Sequence, residues 1–328
     1  MSQIMDTRRV QITGGSSFMV TLPKYWADSV NLKKNDMVSL SPQPNGGLLI
    51  TTGDPDAVED RVKTLEIDRT MSSERIYRCL IGAYIAGHDR IVIHSDQPLA
   101  GQSLDAISRF TQTSIGMEIV EEEENRIVIK DLMDHTEISP QKNIRREFLL
   151  VKRMISDVLN SDQVSPAELE SRDTEVDRIH WLVQRQSSIH QQNIGLSVKM
   201  GIDLRNVTNC VGISKTLERM GDHTVLIAKQ LGSLNDGDRV TVRGILSNLS
   251  PEIAGFVETS MDSWFNANAD TAENLILRKT ALTKNVSDRF SDLRGNPGGS
   301  LIEGSCTRLI EYCSDIAESA IDLAMEQQ

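Results

Sequence analysis

Residues 217–228 read LERMGDHTVLIA and residues 310–321 read IEYCSDIAESAI. Both run apolar, Glu, two residues, small, Asp, so Glu218 and Asp222 lie four apart, as do Glu311 and Asp315. In a helix that spacing puts both carboxylates on one face. Leu217, Val225 and Ile227 flank the first pair, and Ile310, Ile316 and Ile321 the second. The repetition predicts two equivalent helices in a duplicated three-helix unit.

The helical pattern extends from these helices over residues 139–328. Breaks at Ser165-Pro166, around Gly201, at Leu234 to Gly237, near Pro251 and at Gly295 to Gly299 divide it into about six helices. Ser165 with Pro166 behind it and Glu168 three residues on has the pattern of an N-cap, a first-turn proline and a capping-box acid. Aromatic residues are only 4% of the chain while Leu, Ile, Val and Met abound, a balance suited to aliphatic helix packing.

Asp173 and Asp177 supply a third acidic pair at i, i+4. Carboxylates brought together on facing helices suit iron or manganese, and hard oxygen donors also suit magnesium or calcium. Spacing alone decides little, because 47 acidic residues in 328 give roughly seven such pairs by chance. What singles out two of the pairs is their common place in a repeated helix. His223, beside Asp222, offers an imidazole as a further ligand, although a lone helical histidine is more often simply hydrogen-bonded or exposed.

At the other end of the chain, RRVQIT and FMVTLP alternate apolar and polar residues around Gly14-Gly15-Ser16-Ser17, predicting a short hairpin. KYWADSV then forms about two helical turns, and DMVSLS and LLITT read as two strands joined around Asn45-Gly46-Gly47. Four short strands bury too little surface alone, so this segment is expected to be an obligate dimer. The net charge of -12 opposes a chain that coats nucleic acid with its whole surface. Residues 1–50 nevertheless hold Arg8, Arg9, Lys24, Lys33 and Lys34 against Asp6, Asp28 and Asp36, so any DNA contact is expected here.

Between the two lie a charged connector, a helix over SSERIYRCLIGAYIAG, the strand RIVIHS, a helix over LDAISRFTQ and a hairpin in MEIVEEEENRIVIKDL. The expected organisation is thus multidomain: residues 1–53 a small β-rich domain, residues 54–138 a small α/β unit acting as a spacer, and residues 139–328 all-α. The run Glu121 to Glu124 reads as a solvated turn. Cys79, Cys210, Cys306 and Cys313 form no CxxC pair and read as reduced thiols in core packing. No signal peptide or membrane-spanning run is apparent, so a cytoplasmic protein without membrane insertion is expected. Nucleophile-elbow, Walker and HExxH patterns are missing, and an enzyme is not expected.

The stretch TRRVQITGGSSFMVTLPKYWADSVNLKKNDMVSLSPQPNGGLLI resembles the AbrB/SpoVT swapped-hairpin domain as it stands at the start of archaeal PhoU-like regulators. Asn35 replaces the usual glycine at a turn where Asn also accepts positive φ. The resemblance implies a homodimer that lays Arg8, Arg9 and Lys24 against DNA. RDTEVDRIHWLV and LERMGDHTVLIAKQ resemble the first repeat of the PhoU domain, and RLIEYCSDIAESAIDL the end of its second. That likeness implies two three-helix bundles whose acidic pairs bind divalent or iron ions, with Asp173, Asp177, Glu218, Asp222, Glu311 and Asp315 as ligands. Lys279 and Thr283 stand where the second repeat should have acids, so one metal site or none is expected, with Lys279 as an ion-pair partner for Glu311 and Asp315. The function implied is a phosphate-responsive negative regulator of phosphate uptake that binds operators of phosphate-related genes. One alternative is an adaptor docked on the ATPase subunit of a phosphate ABC transporter; another is a metal-dependent enzyme.

Overall fold

The structure, a computed structural model, describes residues 6–42, 46–52, 60–135, 137–160, 165–192, 197, 203–293 and 295–326. The chain forms two compact units, Met1–Glu59 and Asp60–Gln328.

The first unit has two separate hairpins. Strands β1 (Gln11–Thr13) and β2 (Ser17–Met19) pair antiparallel with Ile12 opposite Phe18. Gly14 and Gly15 make the turn at φ of 65° and 83°, where a side chain would be strained. After helix α1 (Lys24–Ser29), β3 (Val38–Pro42) pairs antiparallel with β4 (Leu48–Thr52). Asn35 takes a φ of 75°, as the resemblance anticipates, and the Asp36 carboxylate accepts the Lys33 amide at 2.7 Å to fix that turn. The expected turn residue Asn45 lies outside the described residues. No described residue of this unit is buried. Ile12, Phe18, Met37 and Leu40 are 68%, 76%, 83% and 57% exposed, so the alternating pattern produces apolar faces that the described residues of this unit leave uncovered.

In the second unit a four-stranded sheet comes first, in the order β5-β6-β8-β7. Strand β5 (Val62–Glu66) lies where the sequence suggests only a charged connector. It is an edge strand, parallel to β6 (Arg90–His94), with only Leu65 and the following Ile67 packed on the core, so it carries almost no alternation to read. Helix α2 (Ser73–Ile85) makes the crossover, capped by Ser72, and α3 (Gln102–Thr113) precedes the antiparallel hairpin of β7 (Met117–Glu122) and β8 (Arg126–Asp131). Tyr84, Phe110, Ile91, Ile93 and Ile129 fill the space between the helices and one sheet face. Glu121 to Glu124 are exposed at the hairpin end, and Glu121 accepts from Arg126 at 2.5 Å.

Six long helices follow among the described residues: α4 (Pro140–Asn160), α5 (Pro166–Gln192), α6 (Leu204–Ser233), α7 (Asp236–Phe265), α8 (Ala269–Arg289) and α9 (Pro297–Glu326). Helices α4 to α6 pack as one three-helix bundle and α7 to α9 as another, and α6 against α9 and α4 against α7 join them in one apolar core. Ser165 caps α5, its hydroxyl accepting the Glu168 amide at 3.2 Å. The break expected near Pro251 does not occur, for Pro251 lies inside α7. Leu246, Leu249, Ile253, Phe256 and Val257 bury the same face on both sides of it, and that packing outweighs one missing backbone hydrogen bond. The chain turns instead at Asn266 to Asn268, with Ala267 at a φ of 46° and Asn268 capping α8. The break expected around Gly201 lies outside the described residues.

Cys210, Cys306 and Cys313 are buried thiols, but Cys79 is exposed, because it falls off the apolar stripe of α2 formed by Ile76, Leu80, Ala83 and Tyr84. No helix among the described residues is long and apolar enough to cross a membrane.

Candidate functional site

Helices α5 and α6 pack along their lengths, bringing Asp173 and Asp177 of one against Glu218 and Asp222 of the other. Gly221 makes this approach possible. A β-carbon there would stand 2.8 Å from Oδ1 of Asp173, so the Asp173 carboxylate occupies the space that a side chain would take. That oxygen is buried and has no hydrogen-bond partner. Burial, and then the negative charge of Asp177, Asp222 and Glu218, push the Asp173 carboxyl up to about 7. Burial, followed by Glu218 and Asp222, does the same for Asp177, again to about 7. Glu218 and Asp222 are also raised, burial acting first in each. Close carboxylates in a partly desolvated place retain protons that solvent-exposed acids would lose.

A buried polar chain extends this cluster inward. Gln184 donates to Nε2 of His180 at 2.6 Å, Nδ1 of His180 lies 3.0 Å from the Ser214 hydroxyl, and that hydroxyl donates to Oε2 of Glu147 at 2.7 Å. Glu147, on α4, is fully buried. Burial raises its carboxyl well above the usual range, and Glu218 and Asp177 add to the effect. Burial drives His180 the other way, to about 4, with Lys215 assisting. Neither Glu147 nor His180 stands out in a search for acidic pairs. The readable signal is that Glu147 interrupts the apolar stripe of Ile144, Phe148, Val151 and Ile155, a polar residue on a face that must be buried.

The second acidic pair does not join the cluster. Glu311 is half-buried and accepts from Arg308 on its own helix at 2.8 Å, and Asp315 is exposed. The expected ion pair from Lys279 is not formed: among the described residues nothing joins Lys279 to Glu311 or Asp315, and Thr283 donates to the Lys279 carbonyl at 3.1 Å. His223 turns toward α9, its Nδ1 3.2 Å from the Ser305 hydroxyl and its ring 5.8 Å from that of Tyr312.

Asp173, Asp177, Glu218 and Asp222 offer only oxygen donors, the set that suits a hard divalent cation or iron. The buried Asp173 oxygen without a hydrogen-bond partner is what such an ion would satisfy. As arranged, no three His, Cys, Asp or Glu side chains among the described residues stand close enough to share one. Uncompensated carboxylates repel, and a cation is what would draw them together.

In the first unit, Arg8 and Arg9 precede β1, and Lys24 opens α1. All three are exposed, and Arg8 forms an ion pair with Asp6 at 2.5 Å.

Residues 144–231, which span α4 to α6 and contain the whole cluster, match the PhoU domain. Residues 11–57 match the family described as antidote-toxin recognition MazE, bacterial antitoxin. The chain is also similar to a protein of Clostridium acetobutylicum named phosphate-specific transport system accessory protein PhoU homolog, 33% identical over 91 residues. That match covers 28% of this chain and 42% of the relative, less than half its length. No solved structure matches. The chain thus carries, after an N-terminal segment similar to the MazE family, a helical segment similar to the PhoU domain, and the carboxylate cluster lies on α5 and α6 of that segment.

Proposed function

We propose that the chain is a cytoplasmic, phosphate-responsive transcriptional regulator that restrains phosphate uptake. In this reading the first unit dimerises and binds operators of phosphate-related genes, and the bundle is the sensor. The observation that carries it is the fusion of a PhoU-like segment to a unit with no buried residue among those described, whose exposed Ile12, Phe18, Met37 and Leu40 call for a second copy. Dimerisation doubles the exposed Arg8, Arg9 and Lys24 on one small body, concentrating positive charge in an otherwise acidic protein.

The cluster is proposed to hold a divalent cation or iron, through Asp173, Asp177, Glu218 and Asp222. Such an ion would supply positive charge between α5 and α6 and set how closely they pack. Helix α5 then passes the change on, because its C-terminal half is anchored in the α/β segment by Arg185 and Trp181. That segment directly follows the DNA-binding unit in the chain.

The test is binding of the full chain to DNA from upstream of phosphate-transport genes, by anisotropy across a salt series, beside an Arg8→Ala, Arg9→Ala variant. Tight binding that falls steeply with salt and is lost in the variant supports the regulator. Affinity no better than for random DNA sinks it. The name of the Clostridium relative favours a second reading, an adaptor that docks on the ATPase subunit of a phosphate transporter. Salt-insensitive capture of that subunit by a chain without operator affinity would establish it.

A further inference from the structure

Helix α4 departs from the charge of the rest of the chain. From Gln141 to Ser156 it holds five cations, Lys142, Arg145, Arg146, Lys152 and Arg153, and one acid, the fully buried Glu147, in a protein whose net charge is -12. Lys142, Arg145, Arg146, Leu149 and Arg153 recur at helical spacing on the face turned away from Ile144, Phe148 and Val151, and they line a shallow depression of about 580 Å³. Lys152 and Arg153 are already engaged, by Glu258 at 2.6 Å and Asp157 at 3.8 Å. Lys142, Arg145 and Arg146 have no carboxylate partner among the described residues, and Arg145 is held over the Phe265 ring, 4.4 Å from its centre. Leu149 stands among them 57% exposed.

An apolar side chain ringed by free cations has the anatomy of a protein contact, with an apolar centre and a charged rim. A nucleic-acid backbone offers phosphates to the cations and nothing to Leu149. A helix that lies in a lipid surface turns its apolar face to the lipid, whereas that of α4 is buried in the bundle core.

The complement stands on the same chain, at the β7–β8 hairpin. Ile119 and Val120 are exposed there, followed by Glu121 to Glu124. Glu121 is tied to Arg126, but Glu122, Glu123 and Glu124 have no ion-pair partner among the described residues. Backbone bonds fix the turn: the Glu123 amide donates to the Arg126 carbonyl at 2.8 Å, and the Leu99 amide to the Glu124 carbonyl at 2.6 Å. The ladder skips Val120 between Ile119 and Glu121, and bulges and charges of this kind keep an edge strand from pairing with another. That accounts for acids on β7 but not for three unpaired cations on a helix. With strand addition blocked, the hairpin end is left to dock by its side chains.

We propose that the acidic end of the β7–β8 hairpin, Glu122 to Glu124 with Ile119 and Val120, docks on the cationic α4 face of a second copy, around Leu149. Both surfaces belong to every chain, so a twofold pair would form the contact twice. Exposed charge pairs are individually weak, so the contact does not by itself hold a dimer at micromolar concentration; it forms between chains already brought close. It does not depend on the regulator reading, but under that reading chains seated on adjacent operators would support one another.

The test is cross-linking of concentrated full-length protein by a carbodiimide, which joins a carboxylate to a lysine amine only where the two touch. Isotope-labelled and unlabelled chains are mixed, so that mass spectrometry reads links between chains. The wild type should give interchain links between Lys142 and the acids Glu121 to Glu124. Arg145→Glu with Arg146→Glu should cut them at least fivefold, as should Glu122→Lys with Glu123→Lys. Mixed together, the two double variants should restore links from the acidic hairpin of the first to Lys142 of the second. Should Arg145→Glu unfold the chain by baring Phe265, Arg146→Glu alone replaces the pair, with at least a twofold loss expected. No interchain link in the wild type, undiminished links in the α4 variant, or a mixture that links no better than either variant alone would each overturn the proposal. Lost DNA affinity in the α4 variant with its links intact would assign the face to nucleic acid instead.

Discussion

Arg185 of α5 and Asp131 at the end of β8 form a buried ion pair, Nη2 to Oδ2 at 2.6 Å with Nε at 3.0 Å. Nη1 of Arg185 also donates to the Tyr84 carbonyl at 2.7 Å, and His135 lies 2.7 Å from the same Asp131 oxygen. Removing one member leaves the other charge buried and unpaired, which costs about 3–5 kcal/mol. Arg185→Met should therefore destabilise the second unit by that order in urea unfolding. Although burial tends to raise it, the His135 hydrogen bond and the Arg185 charge hold the Asp131 carboxyl below its ordinary value. A depressed carboxyl stabilises above its unfolded value and loses that stabilisation as the pH falls through the folded one. The cost of Arg185→Met should thus shrink in acid below about pH 4. A loss under 1 kcal/mol at neutral pH would show that the pair does not anchor α5.

The cluster has the opposite sign. Asp173 and Asp177 are raised to about 7, so the folded protein holds protons that the unfolded chain releases near pH 4. Stability of the metal-free protein should decline as the pH rises from about 4 to about 7, then level off. Asp177→Asn, which removes a repelling charge, should raise stability at pH 8 by roughly 2 kcal/mol, discounted for partial exposure, and have little effect at pH 4. Thermal melts in chelator across this range check it. A melting temperature that climbs toward pH 8 would contradict the grouping of these acids.

How far this arrangement could be read in advance differs from residue to residue. Helical spacing and the Ser165-Pro166 start suffice to place α4 to α6, because a core-facing stripe must repeat every turn. The bend at Asn266 to Asn268 escapes because asparagine, not glycine or proline, turns the chain and caps α8. Pro251 misleads for the converse reason: tertiary packing overrides the local preference. Asp173, Asp177, Glu218 and Asp222 are legible as pairs. That Glu311 and Asp315 remain outside the site is not, since the repeat fixes their place on α9 but not what faces them. Glu147 is visible as an oddity in an apolar stripe, whereas its partner Ser214, and His180 behind Ser214, lie 67 and 33 residues away on other helices.

Gly221 offers a way to separate stability from site geometry. Alanine in a helix interior is favoured over glycine by about 1 kcal/mol, yet a β-carbon here would lie 2.8 Å from Oδ1 of Asp173. A carboxylate is the mobile end of its side chain and can swing away, so Gly221→Ala should fold with stability within about 1 kcal/mol of the wild type. The displaced Asp173 should at the same time lower Mn²⁺ affinity about tenfold or more. Calorimetric titration beside a thermal melt reads both quantities, and full affinity in this variant would remove Asp173 from the ligand set.

The exposed residues of the first unit give the sharpest test of assembly. Phe18 is 76% exposed in the single chain, and a substitution at such a position ordinarily changes stability by less than about 0.5 kcal/mol. If a second copy covers it, Phe18→Ser instead removes a buried aromatic from the interface, a change worth about 2 kcal/mol or more. Sedimentation equilibrium should show the wild type as a dimer at micromolar concentration and Phe18→Ser dissociating at least tenfold more readily. Operator binding should weaken with it, although Phe18 carries no charge and Arg8, Arg9 and Lys24 are untouched. A Phe18→Ser chain that stays dimeric would mean that the apolar face of β1 and β2 is covered by something other than a second copy.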